Sequence, residues 1–207
     1  MELPLPAQAI VDTLIPKNKF YGQTKVTTAT KRDFIDTIEQ IHWQYKLSPK
    51  TINTPATTNV TEIQVFRVTL KKQLIPKLAL KIIDRTVQYP ILYQFVYGTA
   101  VCYGISLRFA GEDRWYFSEW NHPITFNFVA QNLERVYQQI VSAFITDTPH
   151  STADFANLVT VDKERQRLER EITALQNKIR TERQFNKKVE LNKQLRAKQT
   201  KLNKLTI

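Results

Sequence analysis

Apolar residues recur along this chain with two different periods, and the change between them divides it. In KRDFIDTIEQIHWQY, Phe34, Ile38, Ile41 and Tyr45 fall four, three and four apart, which predicts a helix ending near Tyr45. EIQVFRVTLK, Glu62 to Lys71, alternates instead. Phe66, Val68 and Leu70 point one way and Ile63 and Val65 the other, so both faces are apolar, as in an interior strand of a covered sheet. IPKLALKIIDRTVQYP reads as a helix carrying Leu78 and Ile82, with Ile83 and Val87 beside them. Pro76 suits its start and Tyr89-Pro90 its end. ILYQFVY and AVCYGISLRF are two strands joined at Gly98-Thr99, and AGEDR turns the chain into a third, WYFSEW. In that third strand Trp115 and Phe117 share one face, Tyr116 and Trp120 the other. Leu133 to Phe144, with Val136, Ile140 and Phe144 aligned, predicts a closing helix.

The flanks read differently. Residues 1–29 are rich in Pro, Thr and Lys, with IPKNKFYG the one segment expected to pack, and KLSPKTINTPATTN is a polar connection. From about Asp162, Leu168, Ile172, Leu175 and Ile179 alternate four and three, and Leu195, Lys198, Leu202 and Leu205 resume that spacing. Gly and Pro do not occur after Pro149. One helix of about 40 residues would reach about 60 Å; a helical hairpin folded back near Gln184, Phe185 and Asn186 is the alternative. The expected fold is α/β: a mixed sheet flanked by helices over residues 1–148, a linker over 149–160, and a basic helical arm over 161–207.

Charge sharpens that division. The 207 residues carry a formal net charge of +11. Residues 161–207 hold 14 Lys/Arg against 6 Asp/Glu, a net of +8, leaving only +3 for residues 1–160. An arm this basic fits a polyanion or an acidic partner better than solubility alone. The 42% hydrophobic and 11% aromatic content argues against disorder, and no apolar run approaches a membrane span. The start does not read as a secretory leader, and the single cysteine, Cys102, sits in an apolar run where a buried thiol is expected. A cytoplasmic protein is the expectation.

Candidate chemistry is sparse. The four glycines form no phosphate loop, and His42, His122 and His150 lack metal-ligand spacing, so no metal or cofactor is expected. The enzymatic alternative is a divalent-metal nuclease, whose sites hang acidic residues and a lysine on a strand pair. Glu62 and Gln64 would centre it, in a degenerate form with Gln in place of Lys, with Asp33 and Asp36 upstream. Asp84 could join it, or pair with Lys81 or Arg85 on the helix surface. RWYFSEW interleaves aromatics with charge and could stack bases, but reads first as strand core.

Four stretches resemble the bacterial domain of unknown function 4391 family: WQYKLSPKTIN (43–53), EIQVFRVTLKK (62–72), IIDRTVQYPILYQF (82–95) and RQFNKKVELNKQLR (183–196). The resemblance runs in order from about Leu3 to the C-terminus. Its most specific part covers Gln184, Phe185, Asn186, Lys188, Val189, Glu190, Leu191 and Asn192. The resemblance implies a cytoplasmic bacterial setting beside a superfamily 2 helicase and a DNA methyltransferase, as in type III restriction-modification and related anti-phage systems. It implies an accessory subunit there and supplies no catalytic residue.

The resulting expectation is a non-catalytic subunit of a DNA-processing complex. Arg165, Arg167, Arg170, Lys178, Arg180, Arg183, Lys187, Lys188, Lys193 and Arg196 would contact the nucleic-acid backbone. Gln184, Phe185, Asn186 and Val189 would dock a helicase or methyltransferase partner, or a second copy through the C-terminal helix. A pure adaptor without nucleic-acid contact is the remaining alternative.

Overall fold

The computed structural model describes residues 3–22, 26–109, 112–146 and 155–205. Contacts divide the chain into two compact units, Met1–His150 and Ser151–Ile207. None of the described helices is long and apolar enough to cross a membrane.

The first unit is built on a six-stranded mixed sheet in the order β1-β2-β3-β4-β5-β6. Its strands are β1 (Ile10–Leu14), β2 (Ile38–Leu47), β3 (Ile63–Leu70), β4 (Ile91–Tyr97), β5 (Ala100–Phe109) and β6 (Glu112–Phe117). Only β3 and β4 run parallel. That step requires a crossover, which α4 (Lys77–Thr86) supplies. The β4–β5 hairpin closes through Gly98 and Thr99, as expected, with Gly98 at φ +56 where a side chain would be strained. Gly104 serves packing instead: a Cβ there would lie 2.7 Å from the Phe117 ring.

One sheet face meets α1 (Asn18–Tyr21), α2 (Thr28–Thr37) and α4 around Phe20, Phe34, Ile38, Ile41, Phe66, Leu80, Ile83, Tyr93 and Phe95. The opposite face buries Leu47, Ile63, Val65, Leu92 and Ile105. The final helix of this unit, α5 (Leu133–Thr146), buries Val136, Tyr137 and Ile140, and Tyr137 Oη donates to Ser106 O at 2.8 Å. Two-sided burial explains why β3 and β4 are apolar throughout. A short α3 (Pro49–Ile52) follows β2 behind a Ser48/Thr51 capping box.

The structure corrects four expectations. The helix foreseen to Tyr45 ends at Thr37, and Ile38–Leu47 is the long strand β2. A register shift between Ile38 and Gln40 explains the step of three, and a second between Trp43 and Tyr45 sets Tyr45 beside Val65, on the face opposite Ile41. A bulge adds one residue to a period of two, so Ile38 and Ile41, three apart, share one face of the sheet. Second, Ile10–Leu14 forms an edge strand in residues 1–29, where only IPKNKFYG was expected to pack. Third, α4 buries Ala79, Leu80 and Ile83 and leaves Leu78 44% exposed. Fourth, β6 ends at Phe117, so the alternation breaks and Trp120 packs against the same cluster as Trp115 and Phe117.

The second unit is a helical hairpin. Helix α6 (Phe155–Thr181) begins within the stretch read as a linker, and α7 (Phe185–Asn203) packs against it. Of the two geometries the stripe allowed, the hairpin is the one adopted. The seam carries Leu168, Ile172 and Leu175, all buried, on α6, and half-buried Leu191, Leu195 and Leu202 on α7.

Candidate functional site

The interruption at Gln184, Phe185 and Asn186 is the turn of the hairpin. Helix α6 stops at Thr181, and Gln184, in extended conformation, is the N-cap of α7. Glu182 closes the turn: its Oε1 accepts from the backbone N–H groups of Arg183 and Gln184, each at 2.8 Å. Those bonds, the Gln184 one foremost, hold the Glu182 carboxyl below the usual range. A hollow of about 650 Å³ lies beside the turn, lined by Lys178, Glu182, Arg183, Lys187 and Glu190 among others.

The two ends of this hairpin differ in electrostatics. On α6 near its base, residues 162–171 hold four basic side chains (Lys163, Arg165, Arg167, Arg170) and four acidic ones (Asp162, Glu164, Glu169, Glu171), a net of zero, while residues 193–204 of α7 add five cations (Lys193, Arg196, Lys198, Lys201, Lys204) and no acid. The two central arginines are matched: Arg165 reaches Asp162 at 2.8 Å and Glu169 at 3.6 Å, and Arg167 reaches Glu164 at 2.6 Å and Glu171 at 3.5 Å. Two lysines of α7 join across the hairpin, Lys198 to Glu171 at 2.5 Å and Lys201 to Glu164 at 2.8 Å. Arg167 and then Lys201 hold the Glu164 carboxyl down to about 2. Lys198 lowers that of Glu171.

Residues 178–188 at the tip hold five basic side chains (Lys178, Arg180, Arg183, Lys187, Lys188) and one acid, Glu182, a net of +4. All five are exposed or half-exposed, and none forms an ion pair among the described residues. Lys178 and Arg180 sit in the last turn of α6, where the helix dipole favours a cation. Lys187 and Lys188 sit in the first turn of α7, which has no acidic residue. There the dipole opposes a cation and favours an anion, so these lysines lower the stability of the isolated hairpin.

Phe185 is 78% exposed and Val189, one helical turn on, 52%. An apolar step thus stands out from the cationic tip. Of the remaining expected contacts, Arg170 donates Nε to Gln166 O, while Lys193 and Arg196 lie exposed further along α7. Arg165 and Arg167 would each have to exchange a carboxylate for a phosphate. Asn186 is exposed in the first turn of α7.

The residues of the nuclease alternative do not converge. Glu62 pairs with Lys46 at 2.6 Å and accepts from Gln64 Nε2 at 3.1 Å. Asp33 instead caps α4, its Oδ2 accepting from the Leu78 and Ala79 N–H groups at 3.0 Å. Asp84 pairs with Arg108 at 2.8 Å and accepts from Ser106, rather than reaching Lys81 or Arg85. Among the described residues no group of three or more His, Cys, Asp or Glu is placed to hold a metal ion. His42 lies 3.7 Å from Asp12, and His150 falls outside the described residues. Trp115 and Phe117 stack on each other at 5.8 Å and pack on the core, the reading the alternation favoured.

The tip residues stand among the ten cations expected from the sequence, but the pairing that sets them apart was not foreseen. The i,i+3 and i,i+4 carboxylates around Arg165 and Arg167 were a readable signal of it. A family model described as Domain of unknown function (DUF4391) matches residues 3–202. Neither a curated protein nor a solved structure matches the chain.

Proposed function

The chain belongs to the DUF4391 family, and from that premise we propose that it is a non-catalytic accessory subunit of a DNA-processing complex. The helical hairpin is its contact element: Lys178, Arg180, Arg183, Lys187 and Lys188 engage phosphates of the DNA backbone, and Phe185 with Val189 anchors a protein partner. The partner class, a helicase or a DNA methyltransferase of a restriction-modification-like system, rests on the family setting implied by the sequence. The observation that carries the DNA reading is that all five tip cations stand without an ion pair among the described residues, whereas Arg165, Arg167, Lys198 and Lys201 nearer the base are held by carboxylates. A surface built only for solubility has no reason to leave all five cations at a turn unpaired while four nearer the base, Arg165, Arg167, Lys198 and Lys201, are paired. Contacts of this type position a protein on DNA without reading sequence, and their non-specific affinity lies at about 10⁻⁴ to 10⁻⁶ M at physiological salt.

Two measurements test the halves separately. Electrophoretic mobility shift of duplex DNA should be lost when the five tip cations are replaced by Gln; an unchanged shift refutes the DNA contact. Co-purification with co-expressed helicase and methyltransferase subunits should fall when Phe185 is replaced by Ala. Undiminished recovery places the partner elsewhere.

A further inference from the structure

A second concave site lies in the first unit, far in sequence from the hairpin. Trp43–Lys46 at the end of β2, Glu62–Phe66 at the start of β3 and Thr86–Tyr89 beyond α4 meet around a cavity of about 510 Å³, within the size range of small-molecule sites. These lie in the three body stretches that carry the family resemblance. The walls are aromatic and aliphatic, including Phe66, Trp43 and Tyr89. The Trp43 indole N–H is already committed to Tyr45 O at 3.1 Å, so only its ring faces remain for a ligand.

The polar groups are ordered by a relay. Lys46 fixes Glu62, and Glu62 fixes the Gln64 amide by accepting from Nε2. The opposite amide orientation would set an oxygen against a carboxylate. Gln64 is only 3% exposed, and its Oε1 has no hydrogen-bond partner. Buried acceptors of this kind are few in native proteins, and each calls for a cause. Gln64 lines the aromatic cavity, its amide ordered by a built ion pair and its Oε1 a buried, unused acceptor. Lys19 stands exposed at the same cavity, forming no ion pair among the described residues.

We propose that this cavity binds a nucleotide, with the base among Trp43, Phe66 and Tyr89, a base N–H donating to Gln64 Oε1, and the phosphate at Lys19. A ligand that satisfies Gln64 must bring a hydrogen-bond donor into an apolar, ring-lined space, which a planar heterocycle with an amino or ring N–H does. The exposed cation asks for an anion attached to that ring. Free nucleotides and single nucleotides within an unpaired strand share this chemistry. The inference does not depend on the hairpin as a DNA contact.

Calorimetric titration of the full chain with dAMP, dGMP, dCMP and dTMP, and with short homopolymeric single strands, tests it. The strand titrations use the chain with its five tip cations replaced by Gln. Saturable binding by mononucleotides points to a free ligand, and binding by strands alone to a base presented by nucleic acid. In either case Gln64→Met should weaken affinity by about tenfold, with a thermal midpoint unchanged or raised because an unpartnered polar atom is gone. Trp43→Leu should weaken it comparably. Absence of saturation by every mononucleotide and strand up to about 10 mM, or affinity within about twofold of the parent in both variants, overturns the assignment.

Discussion

The base and the tip of the hairpin use the same residue types for opposite ends. Near the base, Arg165 and Arg167 are each held by two carboxylates of their own helix, and Lys198 and Lys201 tie α7 back to Glu171 and Glu164. At the tip, five cations share one acid, and that acid is occupied by the backbone of the turn. Total charge is therefore a poor guide to where a basic helix meets a polyanion. A cation already matched must give up its partner before it gains a phosphate, whereas an unmatched one only sheds counterions. On the proposed function, pairing with carboxylates, rather than the count of Lys and Arg, divides structural charge from contact charge.

The sharpest way to break this comparison is to neutralise each end in turn. Replacing the five tip cations with Gln should lower duplex affinity by about 100-fold or more at low salt, measured by fluorescence anisotropy. Arg165→Gln with Arg167→Gln should change it by about twofold or less. Equal losses would erase the distinction. The next effect in size is on stability. Leu168→Ala removes a side chain only 1% exposed and should cost about 2–5 kcal/mol in the opening free energy of α6 and α7 amides by hydrogen exchange. Phe185→Ala, at the exposed turn, should leave that exchange unchanged.

A smaller effect is pH-dependent. The Glu164 carboxyl is held at about 2 against an ordinary 4.5, with Glu171 lowered in the same sense. A depressed folded pKa stabilises fully above the unfolded value and is lost as pH falls through the folded one. Protection of α7 amides should therefore decline from about pH 4.5 toward pH 2. Glu164→Gln with Glu171→Gln should flatten that decline and lower protection at neutral pH. A parallel decline in parent and variant would show that the cross-hairpin pairs do not hold the base.

Much of this architecture was legible in the sequence. Two-faced burial gave β3, the Gly98-Thr99 pair gave the β4–β5 hairpin, and Pro76 with Pro90 bracketed α4 closely. Strand β2 was not legible, because the bulge between Ile38 and Gln40 imposed a spacing of three on Ile38 and Ile41 that imitates a helix. Edge strand β1 escaped because it buries little: Ile10 and Leu14 are both more than half exposed, so no alternation marks it. The end of β6 at Phe117 removed the periodicity on which the side of Trp120 was read. At the candidate site, the polar block at Gln184 and Asn186 was visible as an interruption, while its meaning depended on the chain reversing there. Local pairing explains the base, but no spacing rule could foretell that Gln64 would bury an acceptor without a donor.

The salt dependence of duplex binding tests the central claim most directly. If the unmatched tip is the DNA contact, the logarithm of the association constant should fall against the logarithm of salt concentration with a slope of about −4 for the parent chain. Replacing the five tip cations with Gln should reduce that slope to about −1 or shallower, while replacing Arg165 and Arg167 should leave it unchanged. A slope that survives loss of the tip cations, or one that collapses on loss of Arg165 and Arg167, would contradict the account.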